Sequence, residues 1–460
     1  MAVAALACAA TGASAQALNS GYFLDGYLYK HQLNPALCGE KSYVSIPMLG
    51  NINFGSKGNV GLGSFLYPTA DGGLTTFLSS SISADEFLGN LKNNNRMSMD
   101  VNMSIFSMGI EKWGGFNTFD IGLRSSSSIF IPKDMFEFMK VGQNSANTVY
   151  EMGDMGFSSS NYLELAFGHS RQWNEKLRVG AKLKFLLGAG YASLRLKDTK
   201  ITMSEELWEI KANGEMNVAV AGLDIPTKEE SGQTLENPDE ATLVDLENME
   251  YNSPGLSGFG MAIDLGATYK VMDNLTVSAA LKDFGFMSWS NNTYASTSNE
   301  PWTFDGFDNI SAEEGSENSL DEQIDRLTTD LEDYANLHRR STGGRLGRML
   351  AATLNIGAEY QLPMYNKLSF GFLSSTKING KYSWSEGRFS ANVSPVSWFE
   401  AGVNYGISSF GSTMGAILNF HPRGMSFFIG MDYLLGKVNP QFIPINNMNA
   451  NVSLGFNVTF

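Results

Sequence analysis

From the middle of the chain onward, apolar side chains alternate with glycine or polar ones. Val179, Ala181, Leu183, Phe185 and Leu187 interleave with Arg178, Gly180, Lys182 and Lys184. Met261, Ile263, Leu265, Ala267, Tyr269 and Val271 interleave with Asp264, Gly266, Thr268 and Lys270. The same beat returns at Leu275–Lys282, Thr353–Tyr360, Phe399–Ile407 and Phe427–Leu435, and in Val452, Leu454, Phe456, Val458 and Phe460 against Ser453, Gly455, Asn457 and Thr459. A period of two places the two sets on opposite faces of a β-strand. Weaker stretches near 44–54, 98–109, 116–124, 159–169, 212–221, 367–376, 381–391 and 413–420 bring the total to about 14 to 16 strands.

The polar face decides what kind of sheet this is. A water-facing sheet would be dense in charge and threonine; here the polar face is rich in Gly, Ser and Asn with isolated charges. That suits the crowded, hydrated inside of a closed barrel, with the apolar face and its aromatics turned to lipid. The expected fold is all-β: a transmembrane antiparallel β-barrel, closed by a last strand that carries Phe456 and ends at Phe460. Composition agrees, with 48 Gly, 54 aromatics (7 Trp, 17 Tyr, 30 Phe) and only 17% charged residues.

The front of the chain reads differently. Residues 1–15 are small and apolar and end in Ala13-Ser14-Ala15, the pattern of a cleaved signal peptide with its basic n-region missing. Residues 16–42 are too long for a leader and hold Asn34, Pro35 and Ala36. Residues 43–460 form the barrel. Four stretches lack alternation: 16–42; 132–141, spaced as a short helix; the acidic 222–257; and 318–340, where Ile324, Leu327, Leu331, Tyr334 and Leu337 recur at helical spacing. The segments 222–257 and 290–348 are expected as extracellular loops, with short helices in the loops.

Charge is confined. Residues 201–255 carry 13 acids and 2 bases, and residues 300–340 carry 12 acids and 3 bases; the net −15 therefore leaves the rest of the chain at +5. This balance disfavours nucleic acid as a partner. No catalytic constellation stands out. The four histidines are scattered, no metal-ligand spacing occurs, and a hydrolase pair would need His169 to meet a serine of 158–160. No cofactor and no metal are expected, and an enzyme is disfavoured. Lys182, Lys184, Asp264, Lys270, Lys282, Glu359 and Glu400 fall on the polar face, where they either line a path or neutralise one another. Arg339, Arg340, Arg345 and Arg348 either grip lipid phosphates or pair with the acidic stretch before them. Methionines at 97, 99, 103, 108, 135, 139, 152 and 155 suit an adaptable apolar pocket, though packing alone explains most of them.

The stretch LNSGYFLDGYLYKHQLNPAL (18–37), followed by such a barrel, resembles the FadL/PorV-like outer-membrane proteins, and most of all an uncharacterised Bacteroidota branch, a domain of unknown function within that group. IPKDMFEF (131–138) and NFHPRGMSFFIGMDYL (419–434) have the same character. The resemblance implies about 14 strands and an N-terminal hatch in the lumen, with Asn34, Pro35 and Ala36 as hatch residues. It also implies a lid for an apolar ligand, which here would be Ile324, Leu327 and Leu331. It places the protein in the outer membrane of a Gram-negative bacterium, among lipid and lipopolysaccharide, and inserted by the barrel-assembly machinery. The function expected first is uptake of a hydrophobic small molecule. A PorV-like surface or secretion partner without transport comes second, and a general porin third. The two acidic loops depart from the FadL pattern and set a fatty-acid substrate in doubt.

Overall fold

The computed structural model describes residues 18–39, 41–69, 73–145, 147–235, 238–298, 300–307, 319–433 and 449–460. Residues 1–15, read above as a signal peptide, lie outside them. One antiparallel sheet closes on itself. Its strands are β1 (Tyr43–Ser45 with Ile52–Gly58), β2 (Asn94–Lys112), β3 (Gly115–Pro132), β4 (Asn147–Gln172), β5 (Leu177–Ser204), β6 (Trp208–Ala219 with Gly258–Met272) and β7 (Leu275–Ser296). They continue as β8 (His338–Met349 with Ala352–Gln361), β9 (Leu368–Ile378), β10 (Trp384–Val396), β11 (Phe399–Ser408), β12 (Gly411–Phe420), β13 (Met425–Met431) and β14 (Ala450–Thr459). β14 pairs with both pieces of β1, and β1 pairs with β2, so the ring of 14 strands has no free edge. A short strand, Trp302–Phe304, adds to the upper end of β6.

Closure follows from the alternation. Leu183, Ile263, Leu265, Ile356, Phe389, Val403 and Ile407 are exposed on the outside, whereas the residues between them point inward. A closed sheet satisfies every backbone group within itself, so its apolar exterior can face hydrocarbon. Phenylalanines form bands across neighbouring strands. Phe399, Phe420, Phe427 and Phe456 run over β11 to β14 with successive ring centroids 4.9, 6.1 and 4.5 Å apart. Phe460 beyond them is 72% exposed. No helix among the described residues is long and apolar enough to cross a membrane, which says nothing of a barrel.

Connections of two to six residues join the strands at one end; the longest excursions lie at the other, where Ser204–Trp208 and Ser408–Gly411 are nevertheless joined tightly. The wall is uneven: β4 and β5 have 26 and 28 residues, whereas β11, β12 and β13 have 10, 10 and 7. The helices are α1 (Ala84–Gly89), α2 (Lys133–Val141) and α3 (Leu320–Ala335). On the long-loop side Phe65, Phe77 and Phe87 pack with Phe136 of α2.

The two expected loops join the wall in ways the pattern does not show. The acidic 222–257 is inserted within one strand: the chain leaves β6 at Ala219, opposite Tyr191 of β5, and rejoins it at Gly258, opposite Gly188. Ser257 stitches the break. Its Oγ donates to the Ala189 carbonyl (2.9 Å) and accepts from the Ala221 amide (2.8 Å), and its own amide donates to the Gly188 carbonyl (2.7 Å). The second expected loop, 290–348, is mostly wall at its two ends. β7 runs on to Ser296 through register shifts after Trp289, which scramble the alternation there, and β8 begins already at His338.

Candidate functional site

The chain from Leu18 to Leu37 lies inside the barrel, and its sequence explains how it stays there. Short 3-10 turns at Asn19–Gly21 and Leu28–Gln32 keep it compact. Leu18, Leu24, Tyr27 and Leu28 then pack with Tyr43, Phe116, Ile417 and Phe428, apolar residues of the inner wall. Tyr27 and Phe428 meet edge to face at 5.0 Å. The Asn34 side chain accepts from the Ala36 amide (2.9 Å), a local turn that Pro35 stiffens. Its amide group donates to Tyr22 Oη (3.2 Å) and to the Ala279 carbonyl on β7 (3.3 Å). This element can press against the wall because the wall has no side chain there. A Cβ at Gly180 would sit 2.2 Å from the Pro35 carbonyl oxygen, and one at Gly266 would sit 2.0 Å from Asn34 Oδ1.

Polar anchors hold the rest of this plug. Asp432 accepts from the amides of Asn19 (2.9 Å) and Ser20 (2.7 Å) and from Ser20 Oγ (2.6 Å). Glu400 accepts from the Gly26 amide at 3.1 and 3.0 Å, and Tyr29 Oη donates to Asn457 (2.7 Å). His31 closes a buried ring of contacts: Nε2 to Tyr43 Oη (2.8 Å), Tyr43 to Ser107 (2.8 Å), Ser107 to Asp120 (2.7 Å), Lys182 to Asp120 (2.9 Å) and Lys182 to His31 Nδ1 (2.9 Å). Burial first, and the Lys182 ammonium second, hold the His31 imidazole down at about 3, so it is neutral.

Above the plug, toward the long loops, the lumen keeps a cavity of about 230 Å³, floored by Asn19, Gln32 and Leu33. Its wall is mostly hydroxyl and charge. Ser125, Ser126 and Ser128 of β3 face it beside Ser158 and Ser160 of β4, together with Asp100, Arg124, Glu164, Lys184, Arg195, Asp264, Lys282, Asp283, Arg348 and Lys377. One side is aromatic, with Tyr191 and Trp289 5.4 Å apart and Met287 beneath. Most of the charges are paired: Arg124 with Glu164 (2.7 Å), Lys377 with Asp100 (3.3 Å), and Lys184 with Asp264 (2.8 Å), Asp283 (2.5 Å) and Glu164 (3.6 Å).

The residues singled out from sequence therefore fall into different places. Asn34, Pro35 and Ala36 sit against the wall at Gly180 and Gly266. Lys182, Lys184 and Asp264 are buried in the lumen, locked in ion pairs, and line the cavity. Glu400 is buried against the plug and takes no part in the cavity. Two residues on the polar face do not line it either: Lys270 is exposed at the short-turn rim, and Glu359 stands near the same rim. Phe456 and Phe460 face outward. The apolar face of α3, expected as a lid, stands apart from the cavity. Ile324 and Leu331 are 43% and 41% exposed, and neither they nor Leu327 line the cavity; the helix is tied down instead by Tyr334, whose Oη accepts from the Ala212 amide (2.6 Å). None of the eight methionines noted above lines it.

Among the described residues Arg339 pairs with Glu230 and not with the acidic stretch before it, and Arg348 turns into the lumen. His169 lies at the short-turn end of β4, 2.9 Å from Asn117, far along the strand from Ser158–Ser160, so the two do not meet. Among the described residues no group of three or more His, Cys, Asp or Glu is placed to hold a metal ion. The serine ladder and Trp289 were missed from sequence. Runs of four and three serines at register-matched positions were the available signal.

The fold and its contents define a plugged, closed β-barrel with a polar vestibule. The chain belongs to a family of unknown function, DUF5723, whose model matches residues 35–432. No curated protein matches the sequence. Among solved structures it is similar to the toluene transporter TbuX of Ralstonia pickettii (10% identity, 98% of this chain and 96% of that one, TM-score 0.42). It is also similar to the toluene transporter TodX of Pseudomonas putida (10%, 97% and 94%, 0.36) and to a FadL homologue of Pseudomonas aeruginosa (11%, 97% and 99%, 0.34). Likenesses of this size say nothing about a ligand.

Proposed function

We propose that the protein is an outer-membrane barrel of a Gram-negative envelope that admits a small solute through the vestibule, with residues 18–37 as its gate. The observation that carries this reading is the plug itself: a segment seated on bare glycine positions of the wall, with a cavity directly above it. An open general porin would leave that lumen clear. The expectation of a hydrophobic cargo rested on the plugged-barrel pattern, an apolar lid and methionine-rich regions. With the helix away from the cavity and the wall dominated by serines and charges, the reading that fits better is a polar cargo.

The test is a planar-bilayer recording of the barrel lacking residues 16–42, after a heat-shift gel has verified that it is still folded. A clear rise in conductance supports the gate; conductance equal to that of the intact protein removes it. A second reading, a surface partner without transport, draws on the exposed Ile324 and Leu331 of α3. A cross-linker placed at Ile324→Cys in intact cells should then yield a single protein adduct, and the absence of any adduct counts against it.

A further inference from the structure

We propose that the turn between β9 and β10 is an outer gate of the vestibule, a strap laid across the lumen that must lift before a solute enters from the long-loop side. It goes beyond the plug, which closes the same space from below. The argument starts from strand order. In a ring of 14, β2 stands directly opposite β9, and β3 opposite β10. Yet the two flanks touch. Lys377 at the end of β9 pairs with Asp100 of β2 (3.3 Å), and Lys381 of the turn pairs with Asp154 of β4 (2.8 Å). Arg96 Nη1 of β2 donates to the Ser383 carbonyl (2.6 Å), and Tyr382 meets Phe130 of β3 edge to face at 6.4 Å. Such contacts between opposite walls require the turn to reach across the opening.

Its place fits a roof. Asn355, opposite Ser375 of β9, donates to the Leu33 carbonyl of the plug (2.9 Å), and the turn lies further up the same strand. Lys377, Asn379, Tyr382 and Trp384 line the vestibule there. The turn is also built to move as one piece. β9 and β10 pair as far as Lys377 and Trp384, and beyond them the chain makes a 3-10 turn at Gly380–Tyr382. Its internal bonds are short. The Asn379 amide donates to Ser383 Oγ (2.8 Å), Ser383 Oγ to the Gly380 carbonyl (2.7 Å) and the Tyr382 amide to the Asn379 carbonyl (2.9 Å). The ties across the lumen are few and mostly polar. The Lys381 and Asp154 side chains are 57% and 40% exposed, so water and salt weaken their attraction. A braced turn on weak ties can swing at its two ends and leave the sheet intact.

The experiment uses cells producing the full chain with Cys38→Ser and one reporter thiol, Ser160→Cys, on the vestibule wall. The probe is a maleimide on a long polyethylene glycol chain, uncharged and too large to cross the outer membrane, read as a gel shift. From outside it reaches the reporter only past the strap, so the result does not depend on whether the plug opens. Lys381→Glu, which sets two like charges together, should speed labelling severalfold, and the swap Asp154→Lys/Lys381→Glu should restore the slow rate. Replacing residues 378–383 by Asn-Gly, a two-residue hairpin turn, should speed it about tenfold or more. Lys200→Gln breaks a similarly exposed ion pair with Glu151 and should change nothing. Raised ionic strength should speed labelling under the natural strap and not under the shortened one. Equal rates for the natural, charge-reversed and shortened straps would overturn the proposal, as would a charge swap that labels as fast as Lys381→Glu. The salt response of the natural strap stands if a strap variant fails to fold. A second reporter, Glu151→Cys, lies outside the strap and should label rapidly in every chain. Its silence would remove the outer-membrane setting, and the same ratio of rates is then read on the purified barrel in detergent.

Discussion

Gly180→Ala puts one methyl group where the plug backbone at Pro35 lies against the wall. The added carbon would lie 2.2 Å from the Pro35 carbonyl oxygen and 2.3 Å from its carbon, and both are backbone atoms that cannot rotate away. Overpacking of this kind costs about 1–3 kcal/mol, and the cheapest relief is for the 34–36 turn to leave its seat. If the whole cost falls on the seat, the unseated population rises about 5- to 150-fold. Cys38 reports this directly, because it is a free thiol, half-buried beside the plug, and the other cysteine, Cys8, belongs to the expected leader. Maleimide labelling of Cys38 in the folded barrel should accelerate within that range, and brief channel openings should appear in bilayer recordings. Gly347→Ala is the control, since nothing lies within 4 Å of its would-be Cβ. Labelling of Gly180→Ala at the natural rate would refute the idea that bare wall positions hold the plug.

Three further outcomes are expected. Asp120→Asn strips Lys182 of its carboxylate in a buried ring and should cost about 3–5 kcal/mol in urea unfolding, with much of the loss restored in Asp120→Asn/Lys182→Met. Ser257→Ala leaves the Ala221 amide and the Ala189 carbonyl without their side-chain partner, a loss of about 1–3 kcal/mol, and should speed proteolysis within 222–257. Because burial and Lys182 hold His31 far below its unfolded value of about 6.5, the unfolded chain takes up a proton that the folded one refuses. Stability from this group is therefore full above about pH 6.5 and falls as pH drops toward 3; His31→Gln should flatten that part of the urea-midpoint profile.

The barrel was legible because its physics is local. Each strand must show lipid one face and the lumen the other, so Leu183 against Lys182, or Ile429 against Gly430, carries the assignment without knowledge of any neighbour. α2 and α3 were legible for the same reason, from Met135, Phe136 and Met139 and from Ile324, Leu327 and Leu331. What failed was long-range. Nothing in Ala219 or Gly258 says that they continue one strand, because that continuity lies in their common neighbours on β5 and β7. Nor does apolar spacing on α3 say whether its face meets a cavity or water. Glu400 and Lys184 share a face by alternation, yet one holds the plug and the other lines the vestibule. That difference depends on height along the barrel axis, which a period of two does not encode.

The unequal strand lengths give the outer mouth a slant. A tilted strand crosses a bilayer in about 9–11 residues, so β11 and β12 are used up by the crossing, whereas β4 and β5 continue for roughly 15 more residues, on the order of 35 Å. One flank of the wall thus stands over the membrane like a visor while the opposite flank ends near the headgroups. In the proposed outer-membrane setting, molecules diffusing along the surface would meet the mouth on its low side, and whatever touches the cell from above would meet the raised one.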